Sequence, residues 1–347
     1  MTAAGVVAAV LLLAVAAYTC AGGTDYGAGF WDLTAGGAER GQRPRWLIDH
    51  AMAPVWEVNN VWLIFVLVIM WTGFPVFFQT VFSAMWLPLA LAAIGIVLRG
   101  AGFALRKPTQ RIAGRRVYGA VFAVSSLLTP FFLGAAAGGI ASGRVAPGTE
   151  PSAHAWSNPT SIFFGLLAVV GTALLGAVFL AADAVRYEAP DLHAYFRRRA
   201  LAALAVFAVL GAVTLTVAHS DAPHLWHGFT HGAGLFFIIV AVVSTLVTAW
   251  LLLRTSGAWS RPAAVGVMAS AVIAWGVAQR PYLIPGRLTV AEAAGAPSTL
   301  HWLLIVTVVA AVLVFPAVAF LYRLDTRGEL EPLGDADLRR GGPEREG

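Results

Sequence analysis

The chain holds a single cysteine, Cys20, in 347 residues. An intrachain disulfide and a cysteine-rich metal site are therefore both excluded. Charge is nearly as scarce. Asp, Glu, Lys and Arg make up 12% of the sequence, where soluble domains carry about 25%. No segment has the composition of a soluble domain, and no internal repeat is evident. The apolar segments lack the strand-like alternation of a barrel. No phosphate or dinucleotide fingerprint is present. The glycine-rich stretch Gly22–Asp32 reads G-G-x-x-x-G-x-G, without the strand–turn–helix setting a phosphate loop needs. The eight histidines avoid the middle of every apolar run, so paired haem ligands on facing helices are hard to build from this chain.

Apolar runs are what the sequence has instead. Hydrophobic residues make up 59% of it. Nine runs are long enough to cross a bilayer, at about 3–22, 57–79, 82–104, 117–140, 160–185, 197–218, 231–253, 262–280 and 299–322. Backbone polar groups in lipid must be satisfied within the segment, so runs of this length imply helices. The expected fold is an all-α polytopic membrane protein of about nine transmembrane helices, arranged as two four-helix bundles plus one peripheral helix. The first run lacks a positive leading segment and is read as a retained helix rather than a signal peptide. Residues 1–323 form the membrane domain, and the charged Gly- and Glu-rich segment 324–347 is expected to be a disordered cytoplasmic tail.

Lys and Arg placement sets the expected orientation. With the N-terminus outside, 20 of the 23 basic residues fall on inner segments, and only Arg144, Arg280 and Arg287 fall outside. This is the positive-inside pattern for N-out, C-in. The net charge of +5 follows from topology and gives no reason to expect a nucleic-acid partner.

Few polar residues enter the apolar runs, and each has two readings. In Pro54–Phe65, "PVWEVNNVWLIF", Glu57 is either a helix-start acid favoured by the helix dipole or a proton-conducting carboxylate at the mouth of an internal path. Trp56 and Trp62 suit an interfacial belt or packing. Asp25 and Asp32 could cap helices or bind ions, and the surrounding glycines permit tight turns or close helix contact. Asp183 and Arg186, three residues apart, could pair near the interface. His224, His227 and His231 have the spacing H-x2-H-x3-H and are a weak metal candidate, because no cysteine or firm carboxylate completes the set and Pro223 and Gly228 argue against a regular helix through all three.

Five segments carry a family resemblance: "TDYGAGFWDL" (24–33), "PVWEVNNVWLIF" (54–65), "TGFPVFFQTVFSAMWLPLALAAIGIVLRGAGFALRK" (72–107), "NPTSIFFGLL" (158–167) and "WGVAQRPYLIPGRLTVAEAAGAPSTLHWLL" (275–304). In this order they resemble subunit II of the cytochrome bd-type quinol oxidases, from the first run to the last. The resemblance implies a haem-free subunit of a complex in a bacterial or archaeal cytoplasmic membrane. Its partner, subunit I, would carry two b-type haems and one d-type haem. The complex would oxidise quinol, reduce oxygen to water and build a proton gradient with protons taken from the cytoplasm. A small accessory subunit and membrane lipid are further expected partners. No cofactor is expected on this chain, and the isolated chain is not expected to catalyse.

The resemblance also assigns roles by position. Glu57 matches the family's acidic proton-access position and Asp25 the second acid of its glycine-rich motif. Trp62, with Trp56 and Asn59, falls at the oxygen-access and interface segment. Arg99 matches a motif arginine and, with Asp183 and Arg186, is a structural polar group. A polytopic secondary transporter is the alternative class, but such proteins carry charged groups near the midplane, and none is evident here.

Overall fold

Proline punctuates the helices. Pro75, Pro159, Pro190 and Pro223 each occupy the first turn of a helix, where the missing N–H removes a donor that would have no helical acceptor. The computed structural model describes residues 2–37, 39–52, 56–106, 112–148, 150–254 and 259–326. Its helices are α1 (Ala3–Leu33), α2 (Gln42–Met52), α3 (Trp56–Gly73), α4 (Pro75–Ala84), α5 (Trp86–Arg106), α6 (Ile112–Ala141), α7 (Pro159–Arg186), α8 (Pro190–Asp221), α9 (Pro223–Thr230), α10 (Gly232–Arg254) and α11 (Ser260–Ala278). A short hairpin follows, β1 (Tyr282–Ile284) with β2 (Leu288–Thr289), then α12 (Val290–Ala293) and α13 (Pro297–Thr326). Most of the expected tail, 327–347, lies outside the described residues.

Among the described residues, seven helices are long and apolar enough to cross a membrane, or eight if one bent pair is a single span. Trp86–Gly102 is a shorter apolar helix. The nine expected runs are largely helical, but three differ from expectation, the run 82–104 being broken at Met85 between α4 and α5. The run 57–79 is not one helix. It ends at Gly73, and the axis turns by 117° into α4. Pro75 is the cause: it cannot donate a helical N–H and drives Phe74 out of the helical region, to φ −137° and ψ 64°. The first run is longer than expected. Helix α1 continues through the glycine-rich stretch to Leu33, so those glycines serve helix contact rather than turns.

Residues 1–300 form one compact unit, and His301 onward, continuing α13, forms a second. Within the first unit α1 packs on α3, α6, α7 and α11, while α7 also packs on α6 and α8. The α1–α7 crossing is so close that a Cβ on Gly27 would stand 2.8 Å from the Gly176 Cα, and one on Gly176 would stand 2.7 Å from the Gly27 Cα. Only glycine fits at either position, which is how membrane helices gain van der Waals contact when lipid supplies no hydrophobic drive between them. Trp31 secures the same crossing by donating its indole N–H to the Ala173 carbonyl at 2.8 Å.

Ion pairs fasten the helix ends. At the arginine-rich end, Arg45 binds Asp32 at 2.8 Å, Arg43 binds Asp191 at 2.9 Å and Arg261 of α11 binds Asp183 of α7. At the opposite end Asp221 ties three elements together. It accepts from Arg144 at 2.6 and 3.1 Å, from the Thr160 hydroxyl at 2.6 Å and from the Thr160 backbone N–H at 3.0 Å. The hairpin joins this end too. The Gly295 N–H donates to the Gly73 carbonyl at 2.8 Å, satisfying a group that the α3–α4 break would otherwise expose. Thr289 and Glu292 close α12 with a reciprocal capping box.

Two outcomes follow from these end contacts. Asp221→Ala leaves the Arg144 guanidinium and the first α7 amide without their acceptor, and should cost about 2 kcal/mol. Thermal unfolding of the purified protein should show the loss as a drop of several degrees, with Asp221→Asn falling between Ala and wild type. Glu292 lies outside the helices that span the membrane, and hydrogen bonds from the Thr289 N–H and hydroxyl hold its carboxyl below the usual carboxylate range. Because that folded-state value is depressed, the cap is fully present above the ordinary range and is lost as acidification passes through the lowered one. Amide exchange at Thr289 should therefore speed up only on strong acidification. In Thr289→Ala the Glu292 titration should move back towards the ordinary range.

A buried charged cluster and an apolar cavity form the candidate site

Helix α1 carries Tyr18, Gly22 and Tyr26 one above another on one face, since residues four apart align along a helix. Gly22 has no side chain to separate the two rings, and their hydroxyls meet at 3.1 Å. Both tyrosines are buried, as is the neighbouring acid Asp25. Helix α5 delivers Arg99 to the same place. Its guanidinium lies 4.8 Å from the Tyr26 ring centre and 5.2 Å from that of Phe122, and its Nε donates to the Ser126 hydroxyl at 3.2 Å. Arg99 is only 6% exposed. Two aromatic faces and one hydroxyl replace part of the hydration that a buried guanidinium loses. Asp25 precedes Tyr26 in the chain and Arg99 lies over the Tyr26 ring, so the four groups cluster at one place.

The tyrosine pair borders a cavity of about 260 Å³ lined by α1, α3, α6, α7, α8 and α11. Leu63, Pro130, Phe164, Phe207, Met268 and Trp275 line much of it, so its walls are mostly apolar. The Trp275 indole N–H, on its far wall, is buried without a hydrogen-bond partner.

The sequence-derived candidates fall in several places. Asp25 and Arg99 come together through Tyr26. Trp62 is half-buried, edge-on to Phe65 at 6.4 Å, on the helix whose Leu63 and Val66 reach the cavity. Trp56, Glu57 and Asn59 stand in the first turn of α3, and their side chains lie outside the described residues. Asp183 has a partner the sequence did not suggest, Arg261, 78 residues away, while Arg186 lies over the Tyr187 ring at 5.8 Å. The three candidate histidines diverge. His224 places Nε2 3.3 Å from the Gln279 carbonyl, and His227 and His231 stack on one another at 4.2 Å. Among the described residues, no three His, Cys, Asp or Glu groups gather where one ion could be held. Sequence reasoning missed Tyr18, Tyr26, Ser126 and Trp275. The Tyr–Gly–Tyr spacing at i, i+4 and i+8 was the available signal for the first two.

This arrangement defines a polytopic helical membrane protein with an internal charged cluster. The chain belongs to the cytochrome bd terminal oxidase subunit II family, whose model matches residues 3–325. It is similar to a Bacillus subtilis (strain 168) protein provisionally named cytochrome bd menaquinol oxidase subunit II, with 23% identity over 317 residues, 87% of this chain and 90% of that one. Cytochrome bd ubiquinol oxidase subunit 2 of the same organism is 27% identical over 112 residues, 32% of each chain. The fold is shared with a chain in the structure of the bd oxidase from Geobacillus thermodenitrificans, at a TM-score of 0.74 and 22% identity, covering 93% of this chain and 98% of that one.

The Gly27–Gly176 crossing sets the distance between α1 and α7, and with it the position of the cluster. Gly27→Val should prevent recovery of folded protein. Gly27→Ala should cost about 1–3 kcal/mol through overpacking, read as a lowered midpoint of thermal unfolding.

Proposed function

We propose that this chain is the haem-free second subunit of a quinol:oxygen oxidoreductase in a bacterial or archaeal cytoplasmic membrane. It pairs with a haem-bearing subunit I, supports that subunit's assembly, and gives cytoplasmic protons and oxygen access to the subunit interface. Membership of the subunit II family, along nearly the whole chain, is the observation that carries this reading. The two b-type haems, the d-type haem and the quinol site belong to the partner in this scheme, and a small accessory subunit and lipid complete the assembly.

The basic end of the helices faces the cytoplasm in this scheme, consistent with the arginine distribution. Protons enter at Glu57, in the first turn of α3, and reach the buried Asp25 on α1, which packs against α3. Glu57 and Asp25 can bind and release a proton, and Arg99 stands beside the path. Trp62, Trp56 and Asn59 line the oxygen-access segment of the interface, with Asp183 and Arg186 remaining structural.

Two experiments test the scheme. The tagged chain, expressed with its candidate partner gene, should co-purify with a d-type haem absorbance. A stoichiometric haem bound to this chain alone would overturn the assignment. In the assembled complex Glu57→Gln should leave the haem spectrum intact and slow oxygen reduction by about tenfold or more, while Glu57→Asp keeps much of the rate. A Gln variant that turns over like wild type removes Glu57 from the proton path.

A further inference from the structure

The apolar cavity has no part in the proton scheme. Its volume of about 260 Å³ exceeds the roughly 150 Å³ of an apolar protein cavity that stays dry and takes up benzene. The hydroxyls in its walls are already engaged. Those of Tyr18 and Tyr26 bond each other at 3.1 Å. The Thr19 hydroxyl donates to the Val15 carbonyl at 2.8 Å, and the Thr172 hydroxyl to the Val169 carbonyl at 2.8 Å. Of the polar side chains in the walls, only the Trp275 indole N–H lacks a partner. A buried water needs two to four polar partners, whereas a saturated hydrocarbon chain needs none.

The cavity is long, and its ends lie at different depths. On α1 its lining runs from Val15 to Tyr26, ~16 Å of helix. That is close to the depth of one leaflet, half of a hydrocarbon core of about 30 Å. At one end Ala137 and Trp275 stand about one turn before the ends of α6 and α11. This is the arginine-poor side, which the positive-inside pattern places outside. At the other end Thr172 lies midway along α7, level with Gly23, where a Cβ would stand 3.6 Å from the Thr172 Cγ2. The cavity therefore runs from the outer end of the bundle to its middle. Leu63 and Val66 of α3 form one side. Helix α3 packs on α1 and α4 without extensive contact to α6 or α11, and its outward face is apolar, with Ile64 60% exposed. Hydrocarbon can thus reach the cavity along the sides of α3.

We propose that this cavity binds one acyl chain of an outer-leaflet phospholipid. The chain lies along α1, with its ester end towards Trp275 and its methyl end towards the Tyr18–Tyr26 pair. Length, depth and lateral access fit a lipid chain, and the engaged hydroxyls fit an occupant without polar groups along its length. The ester carbonyl is an acceptor at the end where the one unpaired donor of the walls stands. Inside the cavity the methylene groups supply the van der Waals contacts that the lining side chains cannot make with one another across the gap. The bound chain thereby joins α3, which rests on α1, to α6, α7 and α11. The inference needs only that these helices cross a bilayer, and it stands apart from the oxidase reading.

The test uses the full-length chain in complex with its partner, in phospholipid nanodiscs. A high-resolution cryo-EM map should show unbranched tubular density from Trp275 to the tyrosine pair, continuous with a headgroup at the outer end. Ala271→Phe fills the cavity from α11, and Ala137→Phe fills it from α6. After detergent washing, native mass spectrometry should find one phospholipid fewer per complex in each variant than in wild type. Val243→Phe, on the exposed face of α10, should leave the count unchanged. An empty cavity, a detergent or a quinone in it, or a wild-type lipid count in both cavity variants overturns the site. Should neither variant fold, the map alone decides.

Discussion

The α1–α7 backbone contact at Gly27 and Gly176 governs the position of most of the molecule's polar chemistry. Helix α1 supplies Tyr18, Tyr26, Trp31 and Asp32, and each points at a group on another helix or at the cavity. A methyl group at the crossing would push these side chains out of register with Arg99 and Ser126 on the far side. Lipid offers no hydrophobic reward for helix association, so the specificity of the bundle must come from such close fits and from hydrogen bonds across them. The ion pairs at the two ends add to the fit, but they sit at helix termini where charge is solvated more easily. The interior is organised by shape first and charge second.

Arg99 shows how the two combine. A guanidinium in a bilayer interior is costly, and here its surroundings are two aromatic faces and one serine hydroxyl. None of these alone would compensate for the lost water. Their joint presence depends on three helices meeting within one side-chain length, which returns the argument to the glycine crossing. The apolar cavity beside the cluster follows from the same geometry. Two tyrosines turned towards each other across Gly22 leave the adjacent wall to Leu, Pro, Phe and Met side chains.

Much of this was legible in the sequence, and the remainder was not for identifiable reasons. Run length and the exclusion of charge gave every long helix. The order of the tryptophan–acid–Asn segment and the Gln-x-Pro-Tyr-Leu-x-Pro segment gave the family, later matched over residues 3–325. The break at Gly73 could have been read from Pro75, but a hydropathy run hides it because both halves are apolar. The Asp183–Arg261 pair spans 78 residues, and a local i, i+3 reading offered Arg186 first. The cavity and the Arg99 surroundings come from helix neighbours that no spacing in one sequence encodes. The histidine trio illustrates the converse: regular spacing, with His224 turned to the Gln279 carbonyl and His227 and His231 stacked on each other.

The Trp31–Ala173 hydrogen bond links residues 142 positions apart, and the Cys20 thiol reaches the Val265 carbonyl across 245. Helix α1 emerges from the ribosome long before either partner helix exists. Its neighbours from α5, α6, α7 and α11 follow one after another in chain order. Membrane insertion of this chain is therefore a delayed assembly. Helix α1 gains its close-packed partner only when α7 arrives to close the Gly27 crossing.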